Sequence, residues 1–255
     1  MQDDICAVVL AAGNGKRMES NLPKVLHTVC GTEMVNIVVR TVKSTGIDSI
    51  IVVTPNDSWE IKDSIKETVH FVEQSIPLGT GDALSKAKNL CADFKTTLVL
   101  MADTPLILPE TINKLIKTHI TSNAKITLLT STLLNPEGLG RIVRNNNGKV
   151  IEIVEQNMAD TATMKINEIN AGVYCFDSNW LQEGIRSLKP YAKGEILLTD
   201  LIKIAADKGL EIQTVQSKTK QEALGVNNPA QLAEAELAMM IQSQTNSVVE
   251  NMQKI

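Results

Sequence analysis

Residues 10–26, LAAGNGKRMESNLPKVL, limit what this chain can fold into more than any other stretch. They follow an unbroken apolar run over residues 5–10, which reads as a buried strand. The strand opens into the small residues Ala11, Ala12, Gly13 and Gly15, which let a backbone approach a ligand closely. Lys16 and Arg17 follow at once, and Lys24 stands just past Pro23. A buried strand that ends in a small-residue loop studded with cations has the equipment to hold phosphates. An ordinary strand-to-helix turn with a solvated basic cluster would leave the spacing unexplained. The loop lacks Gly-x-Gly-x-x-Gly, and Arg17 stands where the hydroxyl of a Gly-x-x-x-x-Gly-Lys-Ser/Thr loop would be.

The remainder of the chain alternates in the same way. Strands are expected at 5–10, 49–54, 69–73, 97–101, 125–130, 169–176 and 211–215. Helices are expected at 33–44, 58–66, 81–88, 109–118, 178–188, 198–208 and 230–241. Regular alternation predicts an α/β fold: a mostly parallel mixed sheet with helices on both faces and ligands beyond the carboxyl ends of the strands. Residues 140–155 break the pattern. Their two β-branched runs flank Asn-Asn-Asn-Gly, so a small β-hairpin is expected there, extending over the sheet edge beside the ligand. A polar tail over 242–255 completes the reading.

The composition narrows the function classes. At 255 residues the chain accommodates one domain with an appendage. A net charge of −4 gives no basic face for nucleic acid and no polybasic membrane patch, and aromatics at 3% supply no stacking platform. Cys6, Cys30, Cys91 and Cys175 are scattered without metal-ligand spacing, and Cys6 and Cys175, in apolar strand-like runs, read as small core residues, which fits a reducing cytoplasm. No segment approaches a membrane span or a signal peptide.

Four further motifs repeat the message of the first loop. Asp103 directly follows the apolar run LVLM in Leu-Val-Leu-Met-Ala-Asp-Thr-Pro-Leu. A carboxylate placed there needs a positive partner, which points to Mg²⁺, or else caps the next turn. The others are Glu73-Gln74-Ser-Ile-Pro77-Leu-Gly79-Thr80-Gly-Asp82-Ala, the set Gly138-Leu-Gly140-Arg-Ile, Ile153-Val-Glu155 and Asn170-Ala-Gly-Val, and Gly225-Val-Asn227-Asn. Together with Leu10-Ala11-Ala12-Gly13 and Leu22-Pro23-Lys24, they resemble the sugar-nucleotidyltransferase superfamily over essentially the whole chain. The subgroup most similar is the N-acetylglucosamine-1-phosphate uridyltransferases.

That resemblance implies a Rossmann-like nucleotidyltransferase domain over 1–228 and a C-terminal helix and tail over 229–255. It implies transfer of a uridylyl group from UTP to N-acetylglucosamine 1-phosphate, releasing pyrophosphate, with Mg²⁺ as cofactor and a cytoplasmic location. Arg17, Lys24 and Asp103 are the implied catalytic groups, with Asp103 and Asn227 on the metal. Leu10, Ala11, Ala12, Gly13, Gln74, Gly79, Thr80 and Met101 are implied on the nucleotide side. Gly140, Glu155, Asn170 and Thr199 are implied on the sugar side, the last from Gly194-Glu195-Ile-Leu197-Leu-Thr199-Asp. The family this chain resembles usually has Gln where Pro77 stands and His at Asp82, and its motifs have Gly at Ala102 and Tyr at Leu197. Those departures keep two rivals open: a relative using another sugar 1-phosphate or base, and a non-catalytic sugar-nucleotide-binding subunit. Cytidylyl transfer to a polyol phosphate would leave the sugar motifs unexplained. The bifunctional relatives continue into a hexapeptide-repeat β-helix, and no such repeat occurs here. Oligomeric state, including a homo-oligomer, is left open.

Overall fold

The structure is a computed structural model that describes residues 4–13, 15–191 and 194–252. In chain order its elements are β1 (Ile5–Leu10), β2 (Thr28–Val29), β3 (Thr32–Glu33), α1 (Met34–Ser44), β4 (Ser49–Pro55), α2 (Trp59–Ser64), β5 (His70–Gln74), α3 (Thr80–Ala87) and β6 (Thr96–Met101). There follow α4 (Pro109–Ser122), β7 (Ile126–Thr132), β8 (Arg141–Arg144), β9 (Val150–Val154), β10 (Glu168–Asp177), α5 (Ser178–Ser187), α6 (Asp200–Asp207), β11 (Ile212–Gln216) and α7 (Pro229–Met252).

The main sheet has the order β11-β7-β10-β6-β1-β4-β5. β1 pairs in parallel with β4 and β6, β4 with β5, and β7 with β11, whereas β10 runs antiparallel between β6 and β7. Every residue of β1 is buried. Its side chains alternate between two core layers, as a pleated strand requires. Ile5, Ala7 and Val9 pack with Val38 and Val42 of α1 and Ile112 and Leu115 of α4. Cys6, Val8 and Leu10 pack with Leu84 of α3, Leu181 of α5 and Leu201 of α6. Both faces are covered, and this is why the run tolerates no polar residue. The expected mixed α/β sheet, flanked by helices on both sides, is therefore present.

The hairpin forms where its Asn-Asn-Asn-Gly turn placed it, but not over an edge of the sheet. β8 pairs with β9, and Arg141 of β8 pairs with Ile169 of β10, a strand in the middle of the sheet. The reason lies in the register. β10 pairs with β6 only from Tyr174 to Asp177, so its first residues run past the end of β6 and leave a free flank for β8. A bulge between Asn170 and Tyr174 accommodates the change of neighbour. Gly172 sits in that bulge at φ +73°, and a Cβ there would lie 3.1 Å from Met101 Cγ.

Three other departures have local causes. β2 and β3 form a two-stranded ribbon that the sequence reading missed, because a strand of two residues has no periodicity to detect. Its turn residues Cys30 and Gly31 both have positive φ, the twist a tight hairpin needs. α4 runs to Ser122 rather than stopping at 118: the Thr121 and Ser122 hydroxyls donate to the carbonyls of Lys117 and Thr118, and Asn123 closes the helix at φ +50°. α7 starts with Asn228 accepting from Gln231 N at 2.9 Å and continues to Met252 through part of the expected tail. A helix once nucleated propagates at little further cost. Residues 253–255 of that tail lie outside the described residues.

Gly172→Val should lower stability by about 1–3 kcal/mol, since a β-branched residue is forced into left-handed backbone against Met101. A thermal melt read by circular dichroism checks this. An unchanged Tm would show that the bulge can re-form without its glycine.

Candidate active site

The carboxyl ends of β5, β1 and β6 open on one side of the sheet, and a cleft of about 470 Å³ lies there. Leu10, Ala12, Gly13, Arg17, Lys24, Gln74, Gly79, Thr80, Met101, Asp103 and Asn227 line it. Parallel pairing places Leu10 opposite Met101, and Ala102 N donates to Leu10 O at 3.0 Å. The small-residue loop and Asp103 are thus held side by side although they are far apart in sequence. Among the described residues nothing accepts from the amides of Ala12 and Gly13, which leaves those donors for a ligand. Gly15 has φ +55°, and a Cβ on it would meet Lys24 Cβ at 2.6 Å, so its glycine is what lets the loop close on the Lys24 turn.

A cluster of charged and amide groups occupies the floor. Lys24 Nζ forms an ion pair with Asp103 Oδ2 and donates to Asn227 Oδ1 at 3.1 Å. Arg17 Nη2 donates to the same Asn227 oxygen at 3.0 Å. Asn227 is steadied from behind: its N donates to Gln231 Oε1 at 2.8 Å and its Nδ2 to Gly225 O at 3.2 Å, while Val226 N donates to Asp103 O at 2.8 Å. The Asp103 carboxylate therefore meets a cation rather than capping its own turn. Two hard oxygens, one from each of two distant segments, already converge on one ammonium group. That donor set suits a small divalent ion, which takes few protein ligands and keeps waters and phosphates. Among the described residues no group of three or more His, Cys, Asp or Glu forms a metal cage.

On the side of β5, Gln74 Nε2 donates to Gly79 O at 3.0 Å and to Asp82 Oδ2 at 2.8 Å. Gly79 has φ +99°, and a Cβ there would fall 2.5 Å from Ile196 O. The close approach is part of a backbone clasp: Gly81 N donates to Ile196 O, Ile196 N to Leu78 O, and Leu198 N to Thr80 Oγ1 at 3.1 Å. The loop after β5 is in this way tied to the segment that carries Thr199.

A second cleft of about 570 Å³ adjoins the first, with Glu195 lining both. Gly138, Glu155, Met158 and Leu197 line it. Glu155 accepts from Thr199 Oγ1 at 3.1 Å and lies against Gly140, so these three residues meet. Burial raises the Glu155 carboxyl above its ordinary pKa; the Thr199 hydrogen bond opposes this, and the nearby Glu195 and Asp200 carboxylates add to it. Asn170 serves the bulge: Gly172 N donates to its Oδ1 at 3.1 Å, and its Nδ2 donates to Tyr174 Oη at 2.6 Å. Asn170 N also donates to Gly140 O at 2.9 Å, which ties the bulge to the hairpin. Ala11 turns into the core and gives its N–H to Val53 O, so it shapes the loop without lining the cleft. Residue-by-residue reading missed Glu195, Gln231 and Tyr174. Glu195 carried a signal, since it stands inside a motif already singled out, whereas Gln231 and Tyr174 act through contacts that no spacing announces.

Comparison with known proteins comes to the same fold. The family described as nucleotidyl transferase matches residues 6–223. The chain is 44% identical over 235 residues to the bifunctional protein GlmU of Shouchella clausii (strain KSM-K16), covering 91% of this chain and 52% of that protein. It is 40% identical over 234 residues to the bifunctional protein GlmU of Clostridioides difficile (strain 630), covering 91% and 51%. The chain spans about half the length of these curated relatives. A solved structure from Bacillus anthracis, named for glucose-1-phosphate thymidylyltransferase activity, aligns with a TM-score of 0.72 over 92% of this chain and 94% of that one. At 18% identity this is a likeness of fold alone.

The raised Glu155 carboxyl has a consequence for stability. A folded-state pKa above the unfolded one means that stability is highest below the unfolded value and is lost as pH rises through the folded one. Glu155→Gln keeps the acceptor for Thr199 and removes the charge. It should melt at or above the parent temperature at pH 8, with the difference closing towards pH 4. A variant clearly less stable than the parent at pH 8 would mean that the ionised carboxylate is welcome where it lies.

Proposed function

The chain belongs to the nucleotidyl transferase family, and on that premise we propose that it is a sugar-1-phosphate nucleotidyltransferase that makes UDP-N-acetylglucosamine and pyrophosphate from UTP and N-acetylglucosamine 1-phosphate. The observation that carries this reading is the joining of two clefts through Glu195. One has a cationic floor and open backbone amides, and the other is rimmed by Gly138 and Glu155. The names of the relatives, all bifunctional proteins GlmU, support it.

In the proposed reaction a phosphate oxygen of the sugar 1-phosphate attacks the α-phosphorus of UTP in line. The bond from that phosphorus to the bridging oxygen breaks, and pyrophosphate departs. The protein's task is to align two anions and to meet the charge that develops, with no covalent nucleophile. The amides of Ala12 and Gly13 and the Arg17 guanidinium bind the β- and γ-phosphates, which carry away the negative charge of the leaving group. Lys24 exchanges its bond to Asp103 for the reacting phosphate oxygens. Asp103 and Asn227 would hold Mg²⁺, which when bound neutralises charge at the α-phosphate. Glu155 and Thr199 orient the amino sugar, and Asn170 keeps the β10 bulge in the shape that frames it. Among the described residues no helix is long and apolar enough to cross a membrane, and a cytoplasmic location is part of the proposal.

A pyrophosphate-release assay across a panel of nucleotides and sugar 1-phosphates tests the assignment. UTP with N-acetylglucosamine 1-phosphate should be the preferred pair, and glucose 1-phosphate a poor acceptor. Equal use of glucose 1-phosphate would favour a relative with another sugar, and no release with any pair would favour a binding subunit.

Asp103→Asn should fold normally and require much more magnesium for activity, because it removes the one full negative charge assigned to the ion. Superimposable magnesium titrations of variant and parent would place the metal elsewhere.

A further inference from the structure

Gln74 projects from the end of β5 into the first cleft, and its amide has no freedom of orientation. Both of its nitrogen partners are oxygens placed to accept: the peptide carbonyl of Gly79 at 3.0 Å and Asp82 Oδ2, whose carboxylate pairs with Lys86, at 2.8 Å. Only the NH₂ end can satisfy both, since a flipped amide would set oxygen against oxygen twice. The two N–H bonds are thereby used up. No described residue donates to Gln74 Oε1, so the cleft is offered an acceptor and no donor. Asp82 is itself buried, and Lys86 Nζ holds its other oxygen at 2.8 Å across one turn of α3. The adjacent Pro77 also lines the cleft, and its side chain brings no polar atom.

We infer that Asp82 is a positioning residue that sets base specificity: by anchoring the Gln74 amide nitrogen, with Lys86 behind it, it commits Gln74 to accept a hydrogen bond from a base N–H. This inference rests on the nucleotidyl-transfer reading and deepens it. A uracil presents such a donor at N3. Cytosine presents an unprotonated N3, whose lone pair would oppose Gln74 Oε1. A hydrogen bond to the carboxylate also draws electron density towards the amide oxygen and strengthens it as an acceptor. Asp82 touches neither substrate nor reacting atoms; it acts through Gln74.

Titration calorimetry with UTP and with CTP, in magnesium and without any sugar phosphate, tests this free of turnover. The parent should bind UTP at least about tenfold more tightly than CTP, the scale of one hydrogen bond replaced by an unpaired polar contact. Asp82→Ala removes one of the two acceptors that hold the amide and leaves only the Gly79 carbonyl, so the preference should fall at least severalfold, chiefly through tighter CTP binding. Asp82→Asn keeps an oxygen that accepts from Gln74 and should restore the preference, an outcome that a merely structural role would not produce. Circular dichroism melts show whether each variant is folded, and Lys86→Met supplies a milder loosening of the same anchor should Asp82→Ala fail to fold. A folded Asp82→Ala, or Lys86→Met in its place, with the parental ratio overturns the inference, as does a parent that binds CTP as well as UTP. Failure of the functional reading looks different: the preference responds to Asp82, but UTP and N-acetylglucosamine 1-phosphate release no pyrophosphate.

Discussion

The parallel pairing of β1 with β6 is the contact on which the site depends. It sets Leu10 opposite Met101 and ends both strands at the same level, so the small-residue loop and Asp103 emerge side by side. Burial on both faces fixes the register, because a slip by one residue would exchange the two sets of side chains between two different core layers. β10 then runs antiparallel past the end of β6, and its bulge at Gly172 lies against Met101. The hairpin docks on the flank so exposed. Gly140 and Glu155 of the hairpin region are therefore positioned from the same strand end as the small-residue loop and Asp103.

Electrostatics on the cleft floor follow from that convergence. Lys24, Asp103 and Asn227 come from three distant segments, and their mutual bonds satisfy a cation and a carboxylate that are both partly buried. Such a pair adds little net stability, because desolvation offsets the Coulomb attraction. In the proposed reaction its value lies in holding ready charges that a phosphate and a divalent ion would each take over. The clasp between residues 78–81 and 196–198 couples the two clefts mechanically, since the backbone that shapes one is hydrogen-bonded to the backbone that carries Thr199.

Much of the fold was legible because its signals are local. The buried run of β1, the alternation of strands and helices and the Asn-Asn-Asn-Gly turn each follow from residue type over a short window. Boundaries were less so: α4 gains a turn from hydroxyl-to-carbonyl bonds, and α7 continues through polar residues that carry no apolar stripe. The β2–β3 ribbon is set by two positive-φ residues and by α7, whose Glu236 accepts from Cys30 N at 3.2 Å. Nothing near residue 30 predicts a partner so far along the chain.

The sequence by itself determined the chemistry available: a loop of small residues with cations, a carboxylate after a buried strand, an amide-rich turn near residue 227, and the residue types at 140, 155, 170 and 199. Residue type dictates charge, donor capacity and backbone freedom wherever the chain goes. Only the tertiary structure decided how those groups are used. It turned Ala11 into the core, engaged the Asn170 side chain in the bulge, and brought Glu195 to the boundary of both clefts. It also gave a meaning to Asp82, which in sequence is one acid in a Gly-Thr-Gly-Asp-Ala run and in the fold anchors Gln74. Orientation of a side chain is set by partners distant in sequence, and a one-dimensional pattern does not carry those distances.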